Sequence, residues 1–265
     1  MPFCLLAAAV VVATLAVGCG GKRDYGRELR EAAERAVAAG SFHAQLNAVI
    51  TPLEGASGMG LTAQGDAWMD MDPVAAEARL TVLGMEISLR YKEDRVYLQM
   101  GGVWYEVPAS TLREMGWGEG TLAAVVGVLA SAPEMVSHAS SLEEAGLKKV
   151  GGRDCTELAV TLDMQAVTGM ESVRKLAREL DMSQEELLAF LEEAEPEMRV
   201  CVQRDEPVIR QIYLAFSSEL PEVGGLAGLG LLPERARVEL TMDLPDYGME
   251  VEVEAPSGAR PFKGF

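Results

Sequence analysis

Two histidines and four cysteines are the residues of this 265-residue chain best suited to metal or nucleophile chemistry. Their spacing does not support it. His43 falls on the polar side of an alternating run, and His138 has no cysteine or carboxylate at ligand spacing. Neither reads as a metal ligand or a general base. The chain has no Gly-x-Ser-x-Gly elbow, no His-Glu-x-x-His and no glycine-rich phosphate loop after a strand. Asp and Glu total 41 against 23 Lys and Arg, so closely spaced carboxylates arise by chance. The formal charge of −18 repels phosphate backbones, and no basic stripe with interleaved aromatics offsets it. Nucleic acid is therefore not expected as a partner. No cofactor or metal is expected, and the chain does not read as an enzyme.

Cys19 differs because of what precedes it. Residues 3–17 are apolar except for Thr14, and the run stops at Gly18-Cys19-Gly20-Gly21. That is short of the ~20 residues a membrane span needs, but it suits the core of an export signal. Residues 15–19 (Leu-Ala-Val-Gly-Cys) resemble a bacterial lipobox, in which a small residue precedes a cysteine that is diacylated before cleavage. Ala16 stands where that motif usually has leucine, and no Lys or Arg precedes the apolar run, as if the natural start lay further upstream. The expectation is a signal peptide over residues 1–18, lipidation at Cys19 and a tether over 19–24. An ordinary signal peptide or an uncleaved anchor is the alternative. Five flexible residues span roughly 12 Å, which holds the rest of the chain close to the outer face of a cytoplasmic membrane.

Of the other cysteines, Cys4 leaves with the signal, so the mature chain keeps Cys155 and Cys201. Both lie in strand-like runs and on their polar faces, the placement that a bridge between nearby strands requires. An exported protein meets oxidising conditions, and closing this loop would stabilise by about 4 kcal/mol in the chain-entropy model. Two unpaired thiols are the other reading.

The elements that position these residues are mostly strands. From Leu61 to Pro108 apolar and polar residues alternate through five runs, with turns at Pro73, Gly84, Glu93-Asp94 and Gly101-Gly102. Period two gives a half-buried antiparallel meander with one apolar face. Before it, a helix is expected over 27–39 and a first strand over 43–51. After it, 121–132 is apolar nearly all round, as a buried helix would be, and Pro133 opens a further helical piece through about Leu142. A turn over 148–153 leads to a strand over 154–163. Helices follow at 171–180 and after a capping box at Ser183–Glu186, then strands at 198–203, 208–216, 236–244 and 247–255. Residues 224–233 hold four glycines and four leucines between two strands. Such a loop either packs on the core edge or forms a mobile apolar flap through Leu226, Leu229, Leu231 and Leu232.

This order of elements, with Tyr91-Lys92-Glu93-Asp94-Arg95-Val96-Tyr97-Leu98, Val103-Trp104-Tyr105 and the run from Pro245 through Gly248 to Pro256, resembles the LppX/LprG lipoproteins, which share the LolA/LolB-like fold. The resemblance implies an α+β chain, with residues 25–265 as one domain. Its sheet would be a strongly curved antiparallel half-barrel with helices packed on the concave face. Between them the family holds acyl chains of a lipid or lipoprotein. Here the cavity would be lined by Leu46 and Ile50; by Leu61, Met69 and Met71; and by Leu80 and Val82. Met85, Ile87 and Leu89 would follow, then Val96 and Leu98, with Val125 and Leu129 from the buried helix and Leu240, Met242 and Val251 from the last strands. The 14 methionines suit irregular ligands, although a tightly packed core gives the same pattern. The function so implied is a membrane-anchored, extracytoplasmic carrier or sensor of a lipid or acylated amphiphile, with a possible envelope transport partner. The alternative is an envelope interaction module of the same fold with no cavity.

Overall fold

The computed structural model describes residues 23–56, 59–72, 74–93, 95–108, 127–128, 130–179, 181–219, 233 and 235–262. The chain enters through helix α1 (Tyr25–Ala38), whose N-cap Asp24 accepts from the Arg27 amide. The meander follows as β1 (Ser41–Pro52), β2 (Leu61–Met71), β3 (Val74–Val82), β4 (Met85–Lys92), β5 (Arg95–Met100) and β6 (Val103–Glu106). Next come α2 (Ala132–Met135), a 3-10 turn (Val136–His138), β7 (Ala139–Val150) and β8 (Arg153–Leu162). Three helices, α3 (Met164–Gly169), α4 (Glu171–Glu179) and α5 (Gln184–Glu193), lead to β9 (Glu197–Gln203), β10 (Ile209–Glu219), β11 (Arg235–Tyr247) and β12 (Arg260–Pro261).

All twelve strands join one sheet, in the order β12-β6-β5-β4-β3-β2-β1-β11-β10-β9-β8-β7. Every pairing is antiparallel except β12 on β6. So wide an open sheet cannot stay flat: strand twist accumulates and the sheet curls. Bulges in β11, β7 and β10 bend it further. Gly65 marks the tightest approach. It lies between Leu46 and Leu80, and a Cβ there would stand 1.9 Å from the Arg79 carbonyl oxygen.

The registers join the apolar positions into continuous rows. One runs Ile87–Leu80–Gly65–Leu46–Met242–Ile212–Val200–Leu158 across eight strands. Helix α1 lies against β1, β9 and β10, burying Leu29, Ala32, Ala33 and Ala36 beside Phe42, Val136 and Ile212. The capping box is formed: the Ser183 hydroxyl accepts from the Glu186 amide, and the Glu186 carboxylate accepts from the Ser183 amide.

Two expectations need correction, and one short helix was missed. Residues 139–142 are not helical but begin β7, a full strand where a turn was expected only from 148. Its side chains are mostly exposed on both faces and it carries two bulges, so it lacks the alternation that a half-buried strand shows. It is also an open edge of the sheet, where bulges and the charges of Glu143, Glu144, Lys148 and Lys149 discourage a further strand. Helix α3 escaped the periodicity because it is a six-residue turn fixed by the Asp163 side chain on the Ala166 amide.

Second, 236–244 and 247–255 are not two strands. The strand β11 runs on through Tyr247, and residues 249–256 then cross the polar face of the sheet as an extended strap outside the ladder. Ser41 Oγ donates to the Met249 carbonyl, Lys92 Nζ to Val253 and Arg90 to Glu254. Val253 turns in and is buried, whereas Glu250, Glu252 and Glu254 face solvent. A chain lying flat on a protein surface alternates as a strand does.

Replacing Gly65 with alanine is expected to cost about 1–3 kcal/mol, because the added carbon meets backbone rather than a movable side chain. Thermal unfolding measures it; an unchanged melting temperature would mean that β2 and β3 are not so closely coiled.

Candidate functional site

The concave face is sealed unevenly. At the end of the strands beneath α1, Phe42, Ala44 and Ala67 are fully buried, and Met69, Ala76, Tyr91 and Val96 nearly so. Under β8 and β9 the other end is covered too: Leu158, Val160, Leu162, Met198 and Val200 are buried in one core cluster with Val167, Val173, Ala177 and Leu187 of α3–α5. Away from α1, the β11 and β1–β5 part is only half covered. Leu46, Ile50, Leu61, Leu80, Val82, Ile87, Leu89, Leu98 and Leu240 all keep part of their surface exposed. Among the described residues the result is an apolar trough, closed beneath α1 and open at the far strand ends.

The expected cavity residues divide along this gradient. Met69, Val96 and Met242 lie at the closed end and are buried, and Met71 is half-buried there. The half-buried group forms the trough itself, and Met85, 59% exposed, stands at its rim. Val251 is a correction: it belongs to the strap bonded to Ser41, Arg90 and Lys92 on the opposite face, so it does not line the trough. Val125 and Leu129 lie outside the described residues, as do Cys19 and the flap residues Leu226, Leu229, Leu231 and Leu232. The strands that lead into and out of the flap meet at the open end, where Glu219 pairs with Arg235.

Sequence reasoning missed the floor. Ala48, Ala63, Gly65 and Ala78 occupy adjacent face positions on three neighbouring strands, flanked by the larger Leu89, Ile87 and Leu240 of β4 and β11. Each small residue looks unremarkable in its own strand. Only the register gathers them into a hollow.

Among the described residues of β1–β6 and β11, the inward face carries no charged side chain. Its polar groups are the phenols of Tyr91, Tyr105 and Tyr247, the last donating to the Ile209 carbonyl. Such a surface can take hydrocarbon, at about 0.8 kcal/mol for each methylene removed from water. Among the described residues no group of His, Cys, Asp and Glu could hold a metal ion, and no helix is long and apolar enough to cross a membrane.

The polar face carries the remaining chemistry-bearing residues. His43 is half-buried rather than a free surface histidine. Its ring stacks on Trp68 at 5.0 Å, Nε2 lies 2.8 Å from Asp66 Oδ1, and Nδ1 is 3.8 Å from Asp246. Glu77 bridges Arg79 and Arg90, which lie over Trp68 and Trp104 respectively. Cys155 and Cys201, expected as a disulfide, are free thiols in this structure. They sit on the same face, buried with Val150, but Cys155 faces Gln203 and Cys201 faces Glu157, so the pair is diagonal. Desolvation, followed by repulsion from Cys155, pushes the Cys201 thiol up to about 12. Burial likewise raises Cys155 and Tyr247.

No family model matches the chain, and no curated protein matches it. Among solved structures, LprF from Mycobacterium bovis aligns over 88% of this chain and 97% of its own, at 11% identity and a TM-score of 0.50. The Mycobacterium tuberculosis lipoprotein LppX aligns over 85% and 98%, at 12% identity and a TM-score of 0.45. A LolA superfamily protein, NE2245 from Nitrosomonas europaea, aligns over 85% and 94%, at 9% identity and a TM-score of 0.28. The chain has the fold of LprF: a curved, open antiparallel sheet with helices on its concave side. The resemblance read from the sequence is thus met at the level of the fold.

Because the fold favours the protonated thiols, their contribution to stability is complete below the ordinary value of 9.0 and is lost as pH rises toward about 12. Tyr247 acts in the same direction. Chemical denaturation from pH 8 to 12 should show falling stability, with a smaller fall in Cys201→Ser. With the thiols free, a maleimide should label neither cysteine in the native protein and both in denaturant. Rapid native labelling would place them at the surface, and no labelling in denaturant would show that they are bridged.

Proposed function

We propose that this protein is a lipid-anchored, extracytoplasmic carrier that holds the acyl chains of an amphiphile in the trough between sheet and helices. The observation that carries this reading is the gradient of burial along one uncharged face. A core built for stability alone would be covered at both ends, as it is under β8 and β9. The LprF-like fold agrees with it. In this reading the headgroup stays at the open end, and selectivity among chains is weak, because methylenes are recognised only by burial. Cys19 carries the anchor that holds the protein at the outer face of the cytoplasmic membrane.

Filling the hollow tests the reading. Ala48→Trp and Ala63→Trp should lower the affinity for a fluorescent fatty-acid analogue at least tenfold while shifting the melting temperature by only a few degrees. In a filled core the same changes would overpack and cost about 1–3 kcal/mol, and binding of the analogue would be absent from the start. For the anchor, Cys19→Ser should move the protein from the membrane fraction to the soluble fraction on cell disruption. Persistent membrane association would mean that the apolar segment itself is retained.

A further inference from the structure

The open end carries exposed apolar side chains that the trough does not need. Met59 precedes β2, Leu83 is in the β3–β4 turn, and Met85 opens β4; they are 53%, 51% and 59% exposed. Val82 pairs with Met85 and with Ala63, and Leu61 pairs with Ile50, so all three lie at one rim and continue the apolar face outward.

Leu83 is costly in a second way. It has φ 51° and Gly84 has φ 77°, the left-handed pair that a two-residue hairpin turn demands and that asparagine or glycine normally fills. The β5–β6 and β7–β8 turns of this protein use Gly101-Gly102 and Gly151-Gly152 in the same conformation. A leucine here is strained and exposed at once, and such a choice points to a role.

Charge narrows the partner. From residue 51 to 61 and from 80 to 86 the chain contains Glu54 and Glu86 and no Lys or Arg. The neighbouring β11 end adds Arg235 opposite Glu219 and Arg237 paired with Glu197 and Glu239, so the rim has no excess of positive charge and the −18 of the whole chain disfavours anionic headgroups. The chain enters at the opposite corner. Arg23 donates to Thr156 Oγ1 and to the Arg204 carbonyl, beside the closed ends of β8 and β9. From Cys19, four residues reach at most about 14 Å, whereas the eleven residues of β10 alone span about 36 Å.

We propose that Met59, Leu83 and Met85 form a lipid-contacting rim. It dips into an uncharged lipid surface facing the protein, not into the bilayer that anchors it. The orientation rests on the carrier reading and its anchor at Cys19; the contact itself does not.

The mature chain carrying Cys19→Ser should co-sediment with phosphatidylcholine vesicles, and less so when one third of the lipid is phosphatidylglycerol. Leu83→Asn combined with Met85→Gln should weaken binding about tenfold or more, while Leu83→Asn alone raises the melting temperature by relieving the turn. Acylated protein held in one vesicle population should cluster it with bare phosphatidylcholine vesicles, seen as increased light scattering. The rim assignment is overturned if the wild-type chain ignores phosphatidylcholine or if the double variant binds as well. Preference for the anionic vesicles also overturns it, as does a dimer that the variant abolishes, which would assign the rim to a second copy. Absence of clustering overturns the orientation. Mass spectrometry separates this from the carrier reading: bound amphiphile without vesicle binding sinks only the rim, and vesicle binding without bound amphiphile sinks only the carrier.

Discussion

The length of one helix against the width of one sheet is the constraint on which this molecule depends. Helix α1 has 14 residues and is therefore about 21 Å long. Strands lie about 4.8 Å apart, so α1 can cover roughly four of them. It spends that reach on β9, β10 and β1 and the strand between. Three further helices share the core cluster of β8 and β9, but none of the described helices covers β1–β5 comparably beyond the closed end. An apolar face wider than the helices laid on it leaves either exposed hydrocarbon or a place for a ligand.

The opposite face shows how such a sheet stays soluble and in register. Along one row, Tyr97, Arg90, Glu77, Trp68, His43 and Asp246 stand side by side on six strands. Carboxylates alternate with cations and aromatic rings. A buried glutamate tied to two arginines is costly to break, and a slipped register would turn this row into the core. The strap over 249–256 crosses the same face and returns the chain to β6, where Phe262 packs on Tyr105. The lattice fixes the curvature while the concave side remains free for hydrocarbon.

Much of this was legible in the sequence, for a physical reason. The strands β2 to β6 alternate because one face is wet and the other dry, and their turns carry glycine or acidic residues, so their bounds follow from the pattern. The capping box at Ser183 was equally plain. Where neither cause holds, the signal fails. The edge strand β7 is wet on both faces and shows no period, and the strap carries a period without belonging to the sheet. The trough was half legible: Leu46, Ile50, Leu61, Leu80 and Leu89 follow from alternation, but the alanine and glycine floor exists only once strands are placed side by side. Val251 was assigned to the wrong face because alternation gives two faces and does not say which sheet, if any, they belong to.

The central claim is that the trough holds an amphiphile rather than protein side chains. Native mass spectrometry of the mature, unacylated protein, prepared from cells without detergent, tests it most directly. A bound species heavier than the chain by the mass of one or a few lipids is expected, released on denaturation and reduced in Ala48→Trp. A single species at the mass of the bare chain, unchanged after incubation with lipid, would contradict it.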